Sequence, residues 1–244
     1  MVKFIEELSF NAWPSLETLM YDGWIIRFAN GYTKRSNSVN PLYPSTINPC
    51  KKIMDCEEMF HSKKLPVIFK LTSDQSQNKL DKLLGEMGYT SIEPTSVRIL
   101  DINNISSFTL TDIVIYTSAQ DKWLQDYCRL NGIKYEHMEV LKLLLDSIVP
   151  EKYFVSLIKD NKVVACGLGV LENGYIGLFD VVVDKALRGL GYGQTLICSL
   201  LELGRRRGAK FSYLQVMLRN IPAVHLYSKL GFKEDYRYWY RVKL

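Results

Sequence analysis

The residues whose types and spacing could do chemistry begin at a glycine-rich turn, Arg188-Gly189-Leu190-Gly191-Tyr192-Gly193. This turn follows the apolar run Val181-Val182-Val183 and precedes a segment with apolar residues at helical spacing. Glycines let backbone N–H groups converge on an oxyanion, and the N-terminus of a helix adds roughly half a positive charge. The turn therefore predicts a cradle for a phosphate or diphosphate. The open alternative is a turn that only packs a helix against a strand.

The spacing of the glycines narrows the class of phosphate ligand. Gly189, Gly191 and Gly193 alternate, and neither Lys-Ser nor Lys-Thr follows them. The dinucleotide fingerprint needs G-x-G-x-x-G, and the nucleotide P-loop needs G-x-x-x-x-G-K-[ST]. The turn matches neither of these two patterns.

A second group of candidate residues lies on a predicted helix that begins after Asn220 and ends at Gly231. Asn220 is a favourable N-cap, and glycine is the usual residue after a helix. At ~1.5 Å per residue, Tyr227 lies ~10 Å along the axis from Asn220, on nearly the same face. Both side chains could therefore contact one elongated ligand. Tyr227 is also one of 15 tyrosines, and packing in a core is the alternative.

The elements that must position these residues follow from turn signals and hydrophobic periodicity. Asp160-Asn161 and Asn173-Gly174 are turn dipeptides between β-rich runs, which predicts an antiparallel meander. The predicted elements are strands over 153–159, 162–171 and 175–183, a helix over 192–207, a strand over 211–217 and a helix over 221–230.

Taken together, the two segments resemble the GNAT superfamily of N-acetyltransferases. Its acyl-CoA signature is Arg or Gln, two residues, Gly, one residue, then Gly or Ala, and Arg188, Gly191 and Gly193 meet it. A second signature of Asn, Ala, Leu-Tyr and Gly-Phe is met from Asn220 to Phe232. The resemblance covers about residues 150 to 243 and implies acetyl-CoA as the cofactor. The cofactor-binding residues that it implies are Val181, Val182, Val183, Arg188, Gly189, Leu190, Gly191, Tyr192, Gly193, Asn220, Ala223 and Tyr227.

The same resemblance implies catalytic roles. Tyr227 would protonate the departing thiolate of CoA. A primary amine has a reference pKa near ~10.4, so a base or a water relay must remove a proton before attack. Asp180 is the nearest candidate base, and Glu172 and Glu136 are further possibilities. Several relatives place a catalytic glutamate slightly earlier, where this chain has Phe179 and Gly177.

The first half carries a faint repeat of the second. Leu83 to Tyr89 aligns with Leu226 to Phe232, and Leu84 then stands where Tyr227 stands. No counterpart of the glycine loop precedes it. We therefore predict an α/β (α+β) fold of two GNAT-like halves, each a mixed, mostly antiparallel sheet flanked by helices. Residues 1–103 would form a degenerate half, and residues 104–244 the catalytic domain.

A hairpin in the first half is the candidate acceptor site. Asn30-Gly31 separates two β-rich runs, and Arg27, Arg35 and Asn37 cluster on them. This stretch resembles the N-terminal half of tandem bacterial GNAT proteins, which suggests polar groups that hold the acceptor substrate. The alternative is a hairpin edge that is kept soluble by its charges.

Composition limits the function classes. Hydrophobic residues are 47% and charged residues 23% of the chain, which is typical of a globular protein. No apolar run could span a membrane or serve as a signal peptide, so we expect a cytoplasmic protein without a membrane partner. Three separated histidines give little material for a metal site, and none is expected. A formal net charge of +5 does not suggest a nucleic-acid partner. We interpret the three consecutive arginines at 205–207 as the basic end of a helix.

The leading functional hypothesis is an acetyl-CoA-dependent N-acetyltransferase that acts on a small-molecule amine by direct attack, as a monomer or homodimer. Acetylation of a protein or peptide amine is the second hypothesis within the same enzyme class. A non-catalytic acyl-CoA-binding sensor is the rival from another class, and a nucleic-acid-binding module comes third. The presence of Tyr227 argues against a sensor, which needs no acid at the sulfur.

Overall fold

A computed structural model describes residues 1–243, apart from the side chain of Tyr135. The chain folds into two compact units. Unit 1 contains Met1–Val97, Met217–Arg219 and the C-terminal segment that begins at Glu234. Unit 2 contains Arg98–Val216 and Asn220–Lys233. The predicted domain division at residues 103 and 104 stays a prediction.

Helices and strands alternate along most of the chain. The helices are α1 (Val2–Ala12), α2 (Pro49–Ser62), α3 (Asn78–Glu86), α4 (Asp121–Asn131), α5 (Met138–Asp146), α6 (Tyr192–Arg206) and α7 (Ile221–Lys229). The strands are β1 (Glu17–Tyr21), β2 (Trp24–Phe28), β3 (Ser38–Pro41), β4 (Val67–Thr72), β5 (Thr90–Asp101), β6 (Ile113–Tyr116), β7 (Glu151–Lys159), β8 (Lys162–Glu172), β9 (Tyr175–Val183), β10 (Phe211–Met217) and β11 (Lys233–Lys243).

Unit 1 is built on a mixed, mostly antiparallel sheet with the strand order β1-β2-β3-β4-β11-β5. Strands β1 and β2 form a tight hairpin at Asp22-Gly23, where both residues have positive φ. Strand β3 runs antiparallel to β2 and parallel to β4, and β11 is antiparallel to β4. The prediction of a β-rich run directly after Asn30-Gly31 is wrong, because a short helical turn occupies 34–36 and the strand begins only at Ser38.

The two faces of the sheet in unit 1 differ in chemistry. The face under α2 and α3 is an apolar core that includes Ile26, Phe69 and Leu84. The alternate residues of the same strands face the other way, and among them Arg27 and Lys70 are buried. A strand places successive side chains on opposite faces, so this second face is buried although it is polar.

Unit 2 is built on the meander β6-β7-β8-β9, to which β10 adds in parallel beside β9. The predicted strands over 153–159, 162–171, 175–183 and 211–217 and the predicted helices after residues 191 and 220 are confirmed to within a few residues. Asn161 and Asn173 have the positive φ angles that the tight turns require. The predicted mixed, mostly antiparallel sheets flanked by helices are therefore confirmed.

Helices cover both faces of the sheet in unit 2. On one face, α6 supplies Leu196 and Leu200 to a core that also contains Ile176 and Leu214. On the other face lies α4, whose Trp123 donates a hydrogen bond to the Val155 carbonyl (3.2 Å). We call these the α6 face and the α4 face. Among the described residues, we find no helix with the length and apolar composition to cross a membrane.

Candidate active site

The centre of the candidate site is an opening between two neighbouring strands of unit 2. Strands β9 and β10 pair in parallel from Tyr175 and Phe211 as far as Leu178 and Leu214. Both strands continue beyond that last pair, to Val183 and Met217. The backbone N–H and C=O groups that face each other across this opening are therefore outside the ladder. We call this opening the strand gap.

A β-bulge in β9 borders the strand gap. Leu168 of β8 pairs with Phe179, whereas Cys166 pairs with Val182, so Asp180 and Val181 are accommodated opposite a single residue of β8. Asp180 has a φ of 51°, which is uncommon for a residue with a side chain. A bulge leaves the backbone groups of its extra residue outside the ladder. This distorted stretch therefore offers backbone hydrogen-bonding groups beside the gap.

The predicted cradle lies at the N-terminus of α6. Gly189 and Gly191 have φ angles of 82° and 89°, and a Cβ built on either residue would meet no atom within 4 Å. Gly191 is the N-cap of α6, and its carbonyl accepts a hydrogen bond from the Thr195 N–H (3.0 Å). Arg188 and Leu190 on the same turn are exposed. The open space over both glycines, at the positive end of a helix, fits a diphosphate group.

Gly193 serves a different purpose in the same turn. A Cβ on this residue would lie 3.5 Å from both Val183 Cγ2 and Leu226 Cδ2. The first turn of α6 therefore packs closely against β9 and α7. Val181 and Val183 are partly buried against the core on the α6 face, whereas Val182 is buried and faces α4 together with its pair Cys166.

The residues predicted on α7 divide into an exposed cap and a buried ring. The Asn220 side chain accepts a hydrogen bond from the Ala223 N–H (3.4 Å), which confirms the predicted N-cap. Tyr227 is only 9% exposed, and its ring centroid lies 5.9 Å from that of Phe232. Burial raises the pKa of Tyr227 to about 12, so its hydroxyl stays protonated at neutral pH.

The candidate base Asp180 lies toward α4. The pKa of the Cys128 thiol of α4 is raised, first by burial and then by the negative charge of Asp180. The side chain of Asp180 is partly buried. Neither Glu172 nor Glu136, the other proposed bases, lies in the stretch of β9 that borders the gap.

Gly177, one of the two earlier positions on β9, has no room for a carboxylate side chain. A Cβ on Gly177 would lie 2.6 Å from both Phe179 Cε2 and Tyr213 Cζ, and 2.7 Å from the Tyr213 hydroxyl oxygen. The Tyr213 ring, which is 2% exposed, therefore lies across Gly177 from the neighbouring strand. Sequence reasoning missed Tyr213, although a glycine inside a strand is a known signal of a close approach.

We expect Gly177→Ala to destabilise the protein by ~1–3 kcal/mol, because the new methyl group would overlap the Tyr213 ring in a tightly packed place. Gly85→Ala is the control, since Gly85 lies in α3 and its Cβ would come no closer than 3.5 Å to Arg241. The control should be neutral or stabilising by up to ~1 kcal/mol. Urea unfolding measures both effects, and equal midpoints for the two variants would contradict this packing.

The hairpin residues proposed to hold the acceptor are engaged within unit 1. Arg27 is buried, its guanidinium donates to the Arg35 carbonyl (2.9 Å) and to the Trp13 carbonyl, and burial lowers its pKa to about 10. The Asn37 carboxamide oxygen accepts hydrogen bonds from the Ala29 and Gly31 N–H groups (2.7 and 2.9 Å). Both side chains thus stabilise the loop between β2 and β3.

The basic run at the end of α6 is also engaged. Arg205 and Arg206 both bind Glu202 one turn earlier, and Arg205 also donates to the Ile105 carbonyl (3.2 Å). The guanidinium of Arg207 lies 3.6 Å from a carboxylate oxygen of Glu151. The two arginine partners lower the pKa of Glu202 to about 2, against the opposing effect of its burial.

The family comparison gives one match over nearly the whole chain. Residues 2–241 match the family described as "Probable histone acetyltransferase Rv0428c C-terminal". The sequence is also similar to YobR of Bacillus subtilis (strain 168), which is described as an uncharacterized N-acetyltransferase. That similarity is 29% identity and covers 99% of this chain and 98% of YobR.

Solved structures share the fold. A GCN5-related N-acetyltransferase from Kribbella flavida superposes with a TM-score of 0.74, at 13% identity, over 100% of this chain and 95% of that one. A tandem GNAT protein from the clavulanic acid biosynthesis pathway gives a TM-score of 0.68, at 11% identity, over 98% and 87% of the two chains. At such low identities, these superpositions support the fold alone.

Proposed function

The chain belongs to the Rv0428c C-terminal family of acetyltransferases, in the GNAT superfamily, and from this premise we propose that it moves an acetyl group from acetyl-CoA to a primary amine of a small molecule. The observation that carries the proposal is the open cradle over Gly189 and Gly191 beside the strand gap. The cradle fits the diphosphate of CoA, and the gap offers backbone hydrogen-bonding groups to its pantetheine arm.

The proposed reaction is direct attack within a ternary complex. Bound acetyl-CoA supplies an activated thioester carbonyl. A backbone N–H of the strand from Val181 to Val183 donates a hydrogen bond to the carbonyl oxygen, where negative charge develops. Asp180, directly or through water, accepts a proton from the amine, and Tyr227 donates a proton to the sulfur as it leaves. Arg188, Leu190 and Tyr192 complete the loop around the diphosphate, and Asn220 and Ala223 contact the cofactor from α7.

The experiment that tests the proposal places a charge in the cradle. Gly189→Asp and Gly189→Asn introduce side chains of equal size that both tolerate a positive φ. We expect the aspartate variant to bind CoA at least ~10-fold more weakly than the asparagine variant, because like charges a few ångströms apart repel by more than ~1.4 kcal/mol. Titration calorimetry with CoA measures the difference. Equal affinities would place the diphosphate elsewhere and remove the basis of the proposal.

Acetylation of a protein lysine is the second candidate, favoured by the word "histone" in the description of the family. The two candidates differ in the acceptor alone. Release of CoA with a panel of free amines favours the small-molecule proposal. Release only with lysine-containing peptides favours the second candidate.

A further inference from the structure

If the cofactor lies along α6, the acceptor must approach the strand gap from the α4 face. Few side chains border the gap on that face. On β9, Gly177 has no side chain, and Phe179 and Val182 are apolar and buried. On β10, Tyr213 is buried under the same face. Apart from Asp180, none of these positions on β9 offers a polar side chain to an incoming amine.

Gln215 of β10 is a second partly exposed polar side chain beside the gap. Its neighbours Leu214 and Val216 both belong to the core on the α6 face. Alternation along a strand therefore places Gln215 on the α4 face, as it does Tyr213. Gln215 is partly exposed, like Asp180, and follows directly after the last paired residue of β10. Asp180 and Gln215 thus flank the gap on one face, one on each diverging strand.

We propose that Gln215 is an acceptor-binding residue and that, with Asp180, it selects amines that carry a hydroxyl or carbonyl group next to the amino group. This inference rests on the proposed function and deepens it. A carboxylate accepts hydrogen bonds from the amine, whereas a carboxamide both donates and accepts. The substrate class is therefore amino alcohols, amino sugars and amino-acid amides rather than plain alkylamines.

The selectivity arises because a polar group that loses its water without gaining a hydrogen bond lowers the affinity for the substrate. A site built to hydrogen-bond a substrate rejects an analogue that lacks the matching group, because its own polar groups then lose their solvent without gaining a partner. Gln215 is only partly buried, so the discrimination is that of one hydrogen bond, a factor of ~2 to 12. Because the three amines differ in pKa, the comparison uses the concentration of the neutral amine. On that basis, the kcat/KM of wild-type protein should favour 2-aminoethanol and glycinamide over propylamine by about that factor.

The test compares Gln215→Ala with wild type on these three amines. We expect KM to rise ~3- to 10-fold for 2-aminoethanol and glycinamide, with the KM for propylamine and for acetyl-CoA unchanged. Gln215→Glu keeps an acceptor but loses both donors, so it should still bind 2-aminoethanol and glycinamide, because the hydroxyl of the first and the amide N–H group of the second can each donate to the carboxylate. Gln125→Ala, at an exposed position of α4, is the matched control and should change none of these constants.

The outcomes separate this inference from the function on which it rests. Calorimetry with CoA first establishes that each variant is folded and that its cradle is intact. Turnover by wild type with the same KM values in Gln215→Ala overturns the acceptor role of Gln215 and leaves the acetyltransferase proposal standing. Binding of CoA without turnover of any amine overturns the small-molecule proposal and the inference with it.

Discussion

Tyr227→Phe is expected to lower kcat by about 10²-fold and to leave the KM for acetyl-CoA within ~3-fold of wild type. The substitution removes one hydroxyl and keeps the ring that packs on Phe232. A proton delivered to the sulfur acts only as the carbon–sulfur bond breaks, so its loss affects the chemical step rather than binding. Thiol release under saturating acetyl-CoA measures kcat directly.

The raised pKa of Tyr227 makes the expected pH dependence simple. Burial raises the pKa to about 12, so the hydroxyl stays protonated across the range in which the protein can be assayed. At pH 8 only a fraction of ~10⁻⁴ would be ionised. Ionisation of the Tyr227 hydroxyl should therefore cause no fall in kcat between pH 7 and pH 9. Such a fall in wild type that disappears in Tyr227→Phe would contradict this assignment.

Tyr116→Phe is the matched control, because Tyr116 lies on the edge strand β6 and away from α7. It should retain full activity. If Tyr227→Phe lowers kcat by no more than this control does, the tyrosine only packs in the core of unit 2. The proton of the leaving thiol would then come from water or from another group.

The sequence predicted the fold of unit 2 because the signals there are local. Asn161 and Asn173 adopt the left-handed turns that their residue types favour, and Asn220 and Gly231 mark the ends of a helix. Each of these signals depends on a few adjacent residues. The predicted elements from β7 to α7 therefore lie within a few residues of those observed.

The sequence could not predict features that depend on distant residues. The pairing of β11 with β4 joins Val242 to Ile68 across most of the chain, and no local pattern encodes that choice. Asp180 has a left-handed conformation inside an apolar run that is typical of a continuous strand. Aspartate tolerates a positive φ, but the pattern around it does not predict where the bulge occurs. Tyr213 became visible as a neighbour of Gly177 only when both strands were in place. Each of these features requires tertiary contacts.

The buried polar face of unit 1 is a further feature that the sequence did not reveal. Glu6 of α1 and Lys70 of β4 form an ion pair of 2.5 Å, with side chains only 2% and 1% exposed. The Tyr236 hydroxyl donates a second hydrogen bond to Glu6 (2.6 Å), and the Lys70 ammonium lies 4.2 Å from the centre of the Tyr238 ring. These contacts connect α1 to the sheet by charge rather than by apolar packing.

Glu6→Gln is expected to destabilise the protein by ~3–5 kcal/mol, because it leaves the Lys70 charge buried without its counter-charge. Lys70→Met should cost a similar amount for the converse reason. The double variant Glu6→Leu/Lys70→Met removes both charges, so it should recover much of the loss. A cost of ~1–3 kcal/mol should remain, because the buried Tyr236 hydroxyl loses its acceptor on Glu6. Urea unfolding of wild type, both single variants and the double variant measures these differences.

Glu86→Gln provides the control for loss of a charge, since Glu86 forms an exposed pair with Lys82 at 3.7 Å. It should change stability by less than ~0.5 kcal/mol. A cost for Glu6→Gln as small as that of the control would mean that water reaches Lys70 and that α1 is not held by a buried pair. A double variant as unstable as the single variants would instead mean that the shape of the two side chains, rather than their charges, holds α1 on the sheet.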